Sequence, residues 1–484
     1  MLTKDKNIGD KIDEILTNKW LGIPIFAVIM FLVFQISQSW LGVWIAEGYE
    51  FENGTVIPGL VTLIDAFGEW VGGLLENANP LLTAIVVDGI IGGVGAVVGF
   101  LPLVMVMYFL IALLEDCGYM ARATVVLDPI FKKVGLSGKS VIPFVIGTGC
   151  AIPGVMACRT IRNERERRTT AMLAPFMPCG AKLPVIALFV GAFFPEQGWI
   201  GTAMYFAGIV IILLCALLIN KITGFKKRSF FIIELPDYKL PSIARAFFST
   251  CQRGWSYIVK AGTVILVCNF VVHLMQNFTW SFAPVAEGAA DSSILATVAL
   301  PFAYIFAPVV GYVSWQLAAA TITGFIAKEN VVGTLAVCFG ITNLIGGDEL
   351  VLESGESVAQ IAAAFGIGSG GSMLAASALA FLALNLFSPP CFAAIGAMNS
   401  EMRSKKWLFA GIGLQISVGY TVGFLINFFG TLISGEKFVN PWTVIVGWIV
   451  VLVISAVFAY LIIKRKREDR IKASLSESKV GEPV

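Results

Sequence analysis

Charged residues and histidine are scarce in this sequence of 484 residues. Asp, Glu, Lys and Arg make up 14% of the chain, and His273 is its single histidine. A soluble domain carries about 25% charged residues, so this chain cannot keep most of its surface in water. The single histidine excludes a histidine-based zinc cluster. The net charge of +2 is too close to neutral to indicate a nucleic-acid partner.

The sequence also lacks motifs for nucleotide binding and for catalysis. The stretch from Lys133 to Ser140 ends like a phosphate-binding loop, but Lys133 stands where that loop requires its first glycine. No nucleophile and base are placed to suggest an enzyme. The nine cysteines fall mostly in apolar segments without the spacing of a disulfide framework, which indicates reduced thiols. We therefore expect no enzymatic activity and no permanently bound cofactor.

Long apolar runs dominate what is present, since 57% of the residues are hydrophobic. The first run, 20–46, is long enough to span a bilayer and too long for the apolar part of a signal peptide. Further runs cover 81–114, 169–194, 199–222, 255–277, 294–312, 315–346, 357–388, 406–432 and 442–463. We predict an all-α, polytopic transmembrane helical bundle with roughly ten crossings of about 20 residues each.

Several of these runs exceed one span and contain Gly or Pro, which predicts broken or re-entrant helices. The segment 47–80 differs, because its apolar residues recur at helical spacing between acids. That pattern is typical of an amphipathic helix lying on the outer membrane surface.

The loop charges predict the orientation of the bundle. Lys and Arg gather in 159–168, 225–253, 403–406 and 464–467. The loops 45–80, 278–293 and 344–359 carry acids and no Lys or Arg, and are expected outside. Cytoplasmic loops are rich in Lys and Arg, so both termini are expected in the cytoplasm. The predicted organisation is a cytoplasmic segment 1–19, a first membrane half 20–222, a basic cytoplasmic loop 223–254, a second membrane half 255–465 and a polar cytoplasmic tail 466–484.

Ionisable residues at membrane depth are functional candidates, because they are costly to bury in lipid. Glu115 and Asp116 directly follow an apolar run. They either mark a transport path, or they lie at the end of a membrane span where Arg122 neutralises one of the two acids. Lys328 and Glu329 separate two apolar runs, where they either mark a helix break or form a self-neutralised bridge.

Cysteines next to Gly and Pro form a third set of candidates. Cys150 follows Gly-Thr-Gly and precedes Ala-Ile-Pro, Cys179 lies in Pro-Cys-Gly, and Cys391 follows Pro-Pro. Irregular backbone at membrane depth is tolerated where it lines a cavity, and a thiolate beside it suits a soft or borderline metal. Met156 and Met398 follow at short distance and either add thioether ligands or fill the core. Cysteines in ordinary helical surroundings are expected to be apolar fillers; these are Cys215, Cys251, Cys268 and Cys338.

The two halves of the sequence resemble each other weakly. Each runs from a charged pair through a glycine-rich stretch to a Pro/Cys break, a methionine and a basic stretch. Cys150 would then correspond to Cys391. Interrupted helices at matching positions indicate a transport site at a repeat interface, so we predict two gate-type pseudo-repeats.

The motifs together resemble the membrane region of ferrous iron transport protein B (FeoB). The matching stretches are Glu115–Arg122, Leu136–Ser140, Gly149–Pro153, Arg159–Thr160, Glu164–Arg167, Ala174–Lys182, Ala327–Glu329, Val332–Thr334 and Pro390–Cys391. The resemblance implies Fe(II) as the cargo and an inner, cytoplasmic membrane as the location. It also implies metal contacts from Cys150 and Cys179 in a first gate and Cys391 in a second, with Glu115, Asp116 and Glu329 as polar path residues. Cys117 is a weaker candidate, since many relatives carry a small polar residue there.

FeoB proteins normally begin with a GTP-binding domain, which this sequence does not contain. The resemblance therefore implies either a GTPase that acts in trans as a separate polypeptide or a GTPase domain that has been truncated from this chain. A small accessory cytosolic protein is a further expected partner, and homo-oligomerisation is left open. Two alternatives remain at this stage. One is a carrier for another divalent metal or a nucleoside-like solute, because the fold alone does not fix the cargo. The other is a non-transporting membrane metal sensor or scaffold.

Overall fold

A computed structural model describes residues 8–18, 20–50, 56–75, 84–194, 197–223, 238–281, 283–285, 290–339, 372–435 and 440–480. Nearly all of these residues are helical. The one sheet within the described ranges is an antiparallel pair of short strands, Gly48–Glu50 and Val56–Pro58. The predicted all-α polytopic bundle is therefore confirmed.

The helices of the first half are Ile8–Leu16, Gly22–Gln35, Leu41–Ala46, Leu60–Leu74, Gly92–Asp116, Tyr119–Lys133, Val141–Gly149, Ala151–Ala157, Glu164–Leu173, Leu183–Phe193 and Trp199–Thr223. Those of the second half are Ile243–Tyr257, Thr263–Asn277, Ile294–Val310, Trp315–Ile326, Asn330–Phe339, Ser372–Phe387, Phe392–Met402, Lys405–Ser434 and Pro441–Val480. Wider π-helical turns occur at Ile36–Trp40, Ala84–Ile91 and Ile258–Gly262.

Seven helical segments among the described residues are long and apolar enough to cross a membrane. They are 22–46, 85–116, 164–191, 199–223, 375–402, 405–434 and 441–468. The helices Ile294–Val310 and Trp315–Ile326 make an eighth if they count as one span, broken by a bend of 100°. The predicted count of about ten was based on runs of about 20 residues. Three of those runs lie partly outside the described residues: 81–114, 315–346 and 357–388.

A short helical hairpin, hairpin A, is formed by Val141–Gly149 and Ala151–Ala157. Its arms touch at two glycines: a Cβ on Gly154 would lie 2.7 Å from the Cα of Gly147. In a continuous helix these residues would be roughly 10 Å apart, because each residue adds about 1.5 Å. The chain therefore folds back on itself at Cys150, and only glycine at this crossing permits the arms to approach so closely.

A second hairpin, hairpin B, is formed by Trp315–Ile326 and Asn330–Phe339. Its arms are joined by a hydrogen bond of 2.9 Å between the hydroxyls of Thr323 and Thr334. The three residues between the arms are Ala327, Lys328 and Glu329, so the charged pair found in the sequence lies at the tip of a hairpin.

Two longer segments cross the bundle with a break in the middle. Broken span A runs from Glu164 to Phe193 and is interrupted at 174–182, where its helix gives way to two short 3₁₀ turns. Broken span B runs from Ser372 to Met402 and is interrupted at 388–391. The largest apolar cluster packs these two spans together through side chains such as Phe189 and Phe381, whose rings are 5.3 Å apart. The predicted run 169–194 is thus a broken span.

The helix within the segment 47–80 is Leu60–Leu74, preceded by the small sheet. Gly68 is buried, and the residues nearest to it are Val87 and Ile91. A stripe of exposed large apolar side chains lies along the helix: Leu60, Leu63, Phe67, Trp70 and Leu74. Within the predicted basic loop 223–254, residues 224–237 lie outside the described ranges and a helix begins at Ile243.

Candidate functional site

Four chain breaks meet around one cavity in the bundle. The tip of hairpin A contributes Cys150, broken span A contributes Cys179, the tip of hairpin B contributes Glu329, and broken span B contributes Cys391. The cavity is small, with a volume of about 30 Å³. The structure therefore brings together four of the eight predicted metal-contacting residues, from parts of the sequence more than 200 positions apart.

The backbone at these breaks is extended between helices. Cys150 has φ −149° and ψ 134°, and Ala327 has φ −147° and ψ 129°. Cys179 is also extended. Cys150 and Ala327 keep backbone partners on both sides of the break. Their N–H groups donate to the carbonyls of Ile146 and Thr323, and their carbonyls accept from the N–H groups of Gly154 and Asn330. Irregular backbone is tolerated at membrane depth where it lines a cavity, and Cys150, Cys179 and Ala327 all line this one.

The three thiols are free and differ in exposure. Cys150 and Cys179 are buried, whereas Cys391 is partly exposed. Cys150 directly precedes the helix that begins at Ala151, and Cys391 precedes the one that begins at Phe392. Both thiols therefore lie beside the first backbone N–H groups of a helix. The cavity thus offers soft donors to a cation.

Two buried lysines line the same cavity. Lys182 donates hydrogen bonds to the carbonyls of Pro175 at 2.9 Å and Leu386 at 2.6 Å. Lys328 donates to the carbonyl of Asn385 at 3.2 Å and to the hydroxyl of Ser388 at 2.9 Å. Each lysine is only 3% exposed. Among the ion pairs of the described residues, none joins Lys328 to Glu329, so the alternative of a self-neutralised bridge is not found there. The other alternative, a break between two helices, agrees with the tip of hairpin B.

Glu115 and Asp116 lie outside the cavity lining. Glu115 is exposed and forms an ion pair of 3.4 Å with Arg253, from the helix Ile243–Tyr257. One carboxylate oxygen of Asp116 is buried without a hydrogen-bond partner among the described residues. Their role on a metal path stays a prediction.

The two methionines also lie apart from the cavity. Met398 is completely buried in the large apolar cluster, and Met156 packs at the edge of the smaller cluster that surrounds Cys150. These positions agree with the alternative that both methionines fill the core. Within the part of the chain that the structure describes, no three His, Cys, Asp or Glu side chains gather closely enough to hold a metal ion. The cavity is therefore an open arrangement of donors.

Two residues beside the cavity, Met107 and Gln38, were not predicted from the sequence. The thioether of Met107 packs directly against Gly149, leaving no room for a Cβ there. Gln38 lies close to broken span A, since a Cβ on Gly180 would be 3.2 Å from its amide oxygen. An amide in the middle of an apolar run was a usable signal for Gln38. Met107 offered no signal, because methionine is common in ordinary apolar helices.

The partner of Arg122 differs from the expectation that it neutralises Glu115 or Asp116. Arg122 is 2% exposed and forms an ion pair of 2.5 Å with Asp13 of the N-terminal helix. Its guanidinium also lies 3.6 Å from the ring centre of Tyr238. The hydrogen bond from Arg122 holds the pKa of the Asp13 carboxyl below its ordinary value, because it stabilises the charged form. The pair fixes the N-terminal helix to Tyr119–Lys133.

Comparison with known families covers most of the chain. Residues 97–193 and 258–405 match the Gate family, described as nucleoside recognition. Residues 202–253 match the family described as the C terminus of ferrous iron transport protein B. The Gate match includes both hairpins and both broken spans. No solved structure matches the chain.

Several curated proteins are similar over nearly the whole chain. A Staphylococcus aureus protein named Fe(2+) transporter FeoB is 35% identical over 431 residues, which are 88% of this chain and 59% of that protein. A Campylobacter jejuni protein of the same name is 34% identical over 430 residues, 87% of this chain and 65% of that protein. A Porphyromonas gingivalis protein, named as a fusion of Fe(2+) transport protein A with Fe(2+) transporter FeoB, is 31% identical over 462 residues, 88% of this chain and 52% of that protein. The chain spans between about half and two thirds of the length of these relatives.

Proposed function

Because this chain belongs to the Gate family and matches the membrane region of ferrous iron transport protein B, we propose that it carries ferrous iron across the cytoplasmic membrane. The observation that supports this most is the cavity where four chain breaks bring three thiols and a carboxylate together. Iron(II) is a borderline ion that accepts both thiolate and carboxylate ligands. A cavity with both donor types suits it.

The path passes between the tips of the two hairpins. Cys150, Cys179, Cys391 and Glu329 contact iron in turn as it crosses the cavity. Conduction requires binding that is strong enough to admit the ion and weak enough to release it. Two features favour release: the described donors form no closed cluster of three, and two lysine side chains lie beside them.

The two hairpins enter the membrane from opposite sides. Next to hairpin A, Arg159 pairs with Glu401 at 2.7 Å, in the basic region that is expected to face the cytoplasm. At the base of hairpin B, Trp315 donates a hydrogen bond of 2.7 Å to Asp291, in the acidic region expected outside. Both tips then lie near the middle of the bilayer, and both termini lie in the cytoplasm.

Cytosolic partners regulate the path in this proposal. A FeoB-type GTPase acts from the cytoplasmic side, where the basic loops offer it a docking surface. The Porphyromonas gingivalis relative is named as a fusion with transport protein A, which supports a small accessory protein as a second partner.

The test is uptake of radiolabelled iron(II) into proteoliposomes containing this chain, under reducing conditions. We expect uptake that is saturable and competed by excess iron(II) more strongly than by manganese or zinc. Parallel assays add a FeoB-type GTPase with GTP, and replace iron with labelled nucleosides, since the Gate family is described as nucleoside recognition. Absence of iron uptake with and without the GTPase, or uptake of a nucleoside instead, would contradict the proposal. Empty liposomes give the background.

A further inference from the structure

The carboxyl end of the helix Ser372–Phe387 points at both buried lysines. The last four carbonyls of a helix have no donors within the helix. Here the carbonyl of Leu384 accepts from the backbone N–H of Ser388 at 2.9 Å. The next two, of Asn385 and Leu386, accept from Lys328 and Lys182. Two helix-end carbonyls are thus occupied by amines that come from other segments.

The surroundings of the two nitrogens resemble the surroundings of a bound cation. Aligned peptide dipoles leave a partial negative charge at a helix C-terminus, which attracts a positive ion. In transporters, helix C-termini and unwound backbone carbonyls at a break coordinate alkali ions. The Nζ of Lys182 lies between two carbonyl oxygens, and the Nζ of Lys328 between a carbonyl and a hydroxyl oxygen.

The lysines arrive from different parts of the fold, so their placement is not a local effect of sequence. Lys182 comes from broken span A and lies 204 positions from Leu386. Lys328 comes from the tip of hairpin B and lies 57 positions from Asn385. Both therefore tie another break to the break in broken span B, directly beside Cys391.

We propose that Lys182 and Lys328 act as resident cations at this helix end, so that the cavity functions without a bound sodium or potassium ion. The inference rests on the proposed transport function. It adds that the two lysine side chains occupy the position that a coupling ion would otherwise take. A free ion at these oxygens would have to displace a nitrogen held at 2.6–3.2 Å by two oxygens. Removing one ammonium while keeping most of the apolar side chain should open that place to a monovalent ion.

The substitution Lys328→Met tests this, because it preserves most of the side-chain packing and removes the charge. The thermal midpoint of the purified protein is measured in sodium, potassium and N-methylglucamine chloride at equal ionic strength, together with binding of radioactive sodium. For the wild type we expect the same midpoint in all three salts and no bound sodium. For Lys328→Met we expect the midpoint to rise by roughly 5 °C in sodium or potassium over N-methylglucamine, since a ligand that binds the folded state stabilises it.

The results for the wild type and the lysine variants decide whether the proposal holds. A folded Lys328→Met protein that ignores sodium and potassium, or a wild type that responds to them equally, would overturn the proposal. If Lys328→Met folds only in sodium or potassium, the proposal is supported. If it folds in none of the three salts while Lys328→Arg folds, and Lys182→Met shows no ion dependence, the lysines are structural and the proposal is wrong. The ion-binding experiment contains no iron. A negative result in it therefore does not contradict iron transport, and absence of iron uptake does not contradict a positive result in it. Lys405→Met, at the start of a helix away from the cavity, is the control.

Discussion

Replacing Cys150 or Cys391 by serine is expected to lower the initial rate of iron(II) uptake about tenfold or more, which corresponds to roughly 1.4 kcal/mol of lost stabilisation on the path. A serine hydroxyl is harder than a thiolate and is not ionised near neutral pH, so it is a poorer ligand for a borderline cation. Both residues line the cavity, and serine is close to cysteine in size. The folded yield should therefore stay near that of the wild type.

The matched controls are cysteines outside the cavity. Cys215 lies in the unbroken helix Trp199–Thr223 and Cys268 in Thr263–Asn277. Serine at either position should leave uptake unchanged once the rate is normalised to folded protein. Wild-type uptake by both Cys150→Ser and Cys391→Ser would remove the thiols from the mechanism.

Gly154→Val is expected to prevent hairpin A from closing. A Cβ at this position would meet the Cα of Gly147 at 2.7 Å and the carbonyl oxygen of Pro143 at 2.9 Å. Both are backbone atoms, so the overlap cannot be relieved by turning a side chain. Overpacking of this kind typically costs about 1–3 kcal/mol and more where the backbone has to move, and valine adds two further methyl groups. We expect loss of the folded protein or a large fall in its thermal midpoint.

Gly413→Ala is the control for this substitution. Gly413 lies within the helix Lys405–Ser434, and a Cβ there meets no atom within 4 Å. Alanine should leave the thermal midpoint unchanged or raise it slightly, because it restricts the unfolded chain. A Gly154→Val protein with wild-type stability would mean that the arms of hairpin A do not cross as the structure has them.

Local sequence signals were sufficient to find the breaks. Gly and Pro both disfavour a regular helix, and they cluster next to Cys150, Cys179 and Cys391, so the irregular backbone at these cysteines could be predicted. The same holds for Lys328 and Glu329, since a charged pair between two apolar runs is too costly to place in lipid. These signals depend only on neighbouring residues.

Contacts between distant residues could not be predicted in this way. The partner of Arg122 is Asp13, 109 positions away, and nothing in the neighbourhood of either residue indicates the other. Lys182 was part of a recognised motif, yet its position at the end of another helix depends on how two broken spans pack. Glu115 and Asp116 carried the same signal as Glu329, but they end a long helix outside the cavity.

The predicted correspondence between the halves is also changed by the structure. The sequence pattern paired Cys150 with Cys391, since each follows a glycine-rich stretch. In the fold, Cys150 lies at the tip of a hairpin, as Ala327 does, and the two have nearly the same backbone angles. Cys391 lies in a broken span, as Cys179 does. The pattern of residue types indicates where the helices break, but it does not distinguish the tip of a hairpin from an interrupted span.

Protection of Cys391 by iron tests most directly whether iron occupies the cavity. The rate of modification by a small cationic methanethiosulfonate reagent is measured at each cysteine by mass spectrometry, without oxygen, in iron(II) or in magnesium at equal concentration. Cys391 is partly exposed within the cavity lining, whereas Cys251 is exposed outside it, so one sample contains both the test and its control. We predict that iron(II) slows modification of Cys391 and leaves Cys251 unchanged, while magnesium affects neither. Modification of Cys391 at the same rate with and without iron(II) would contradict the account.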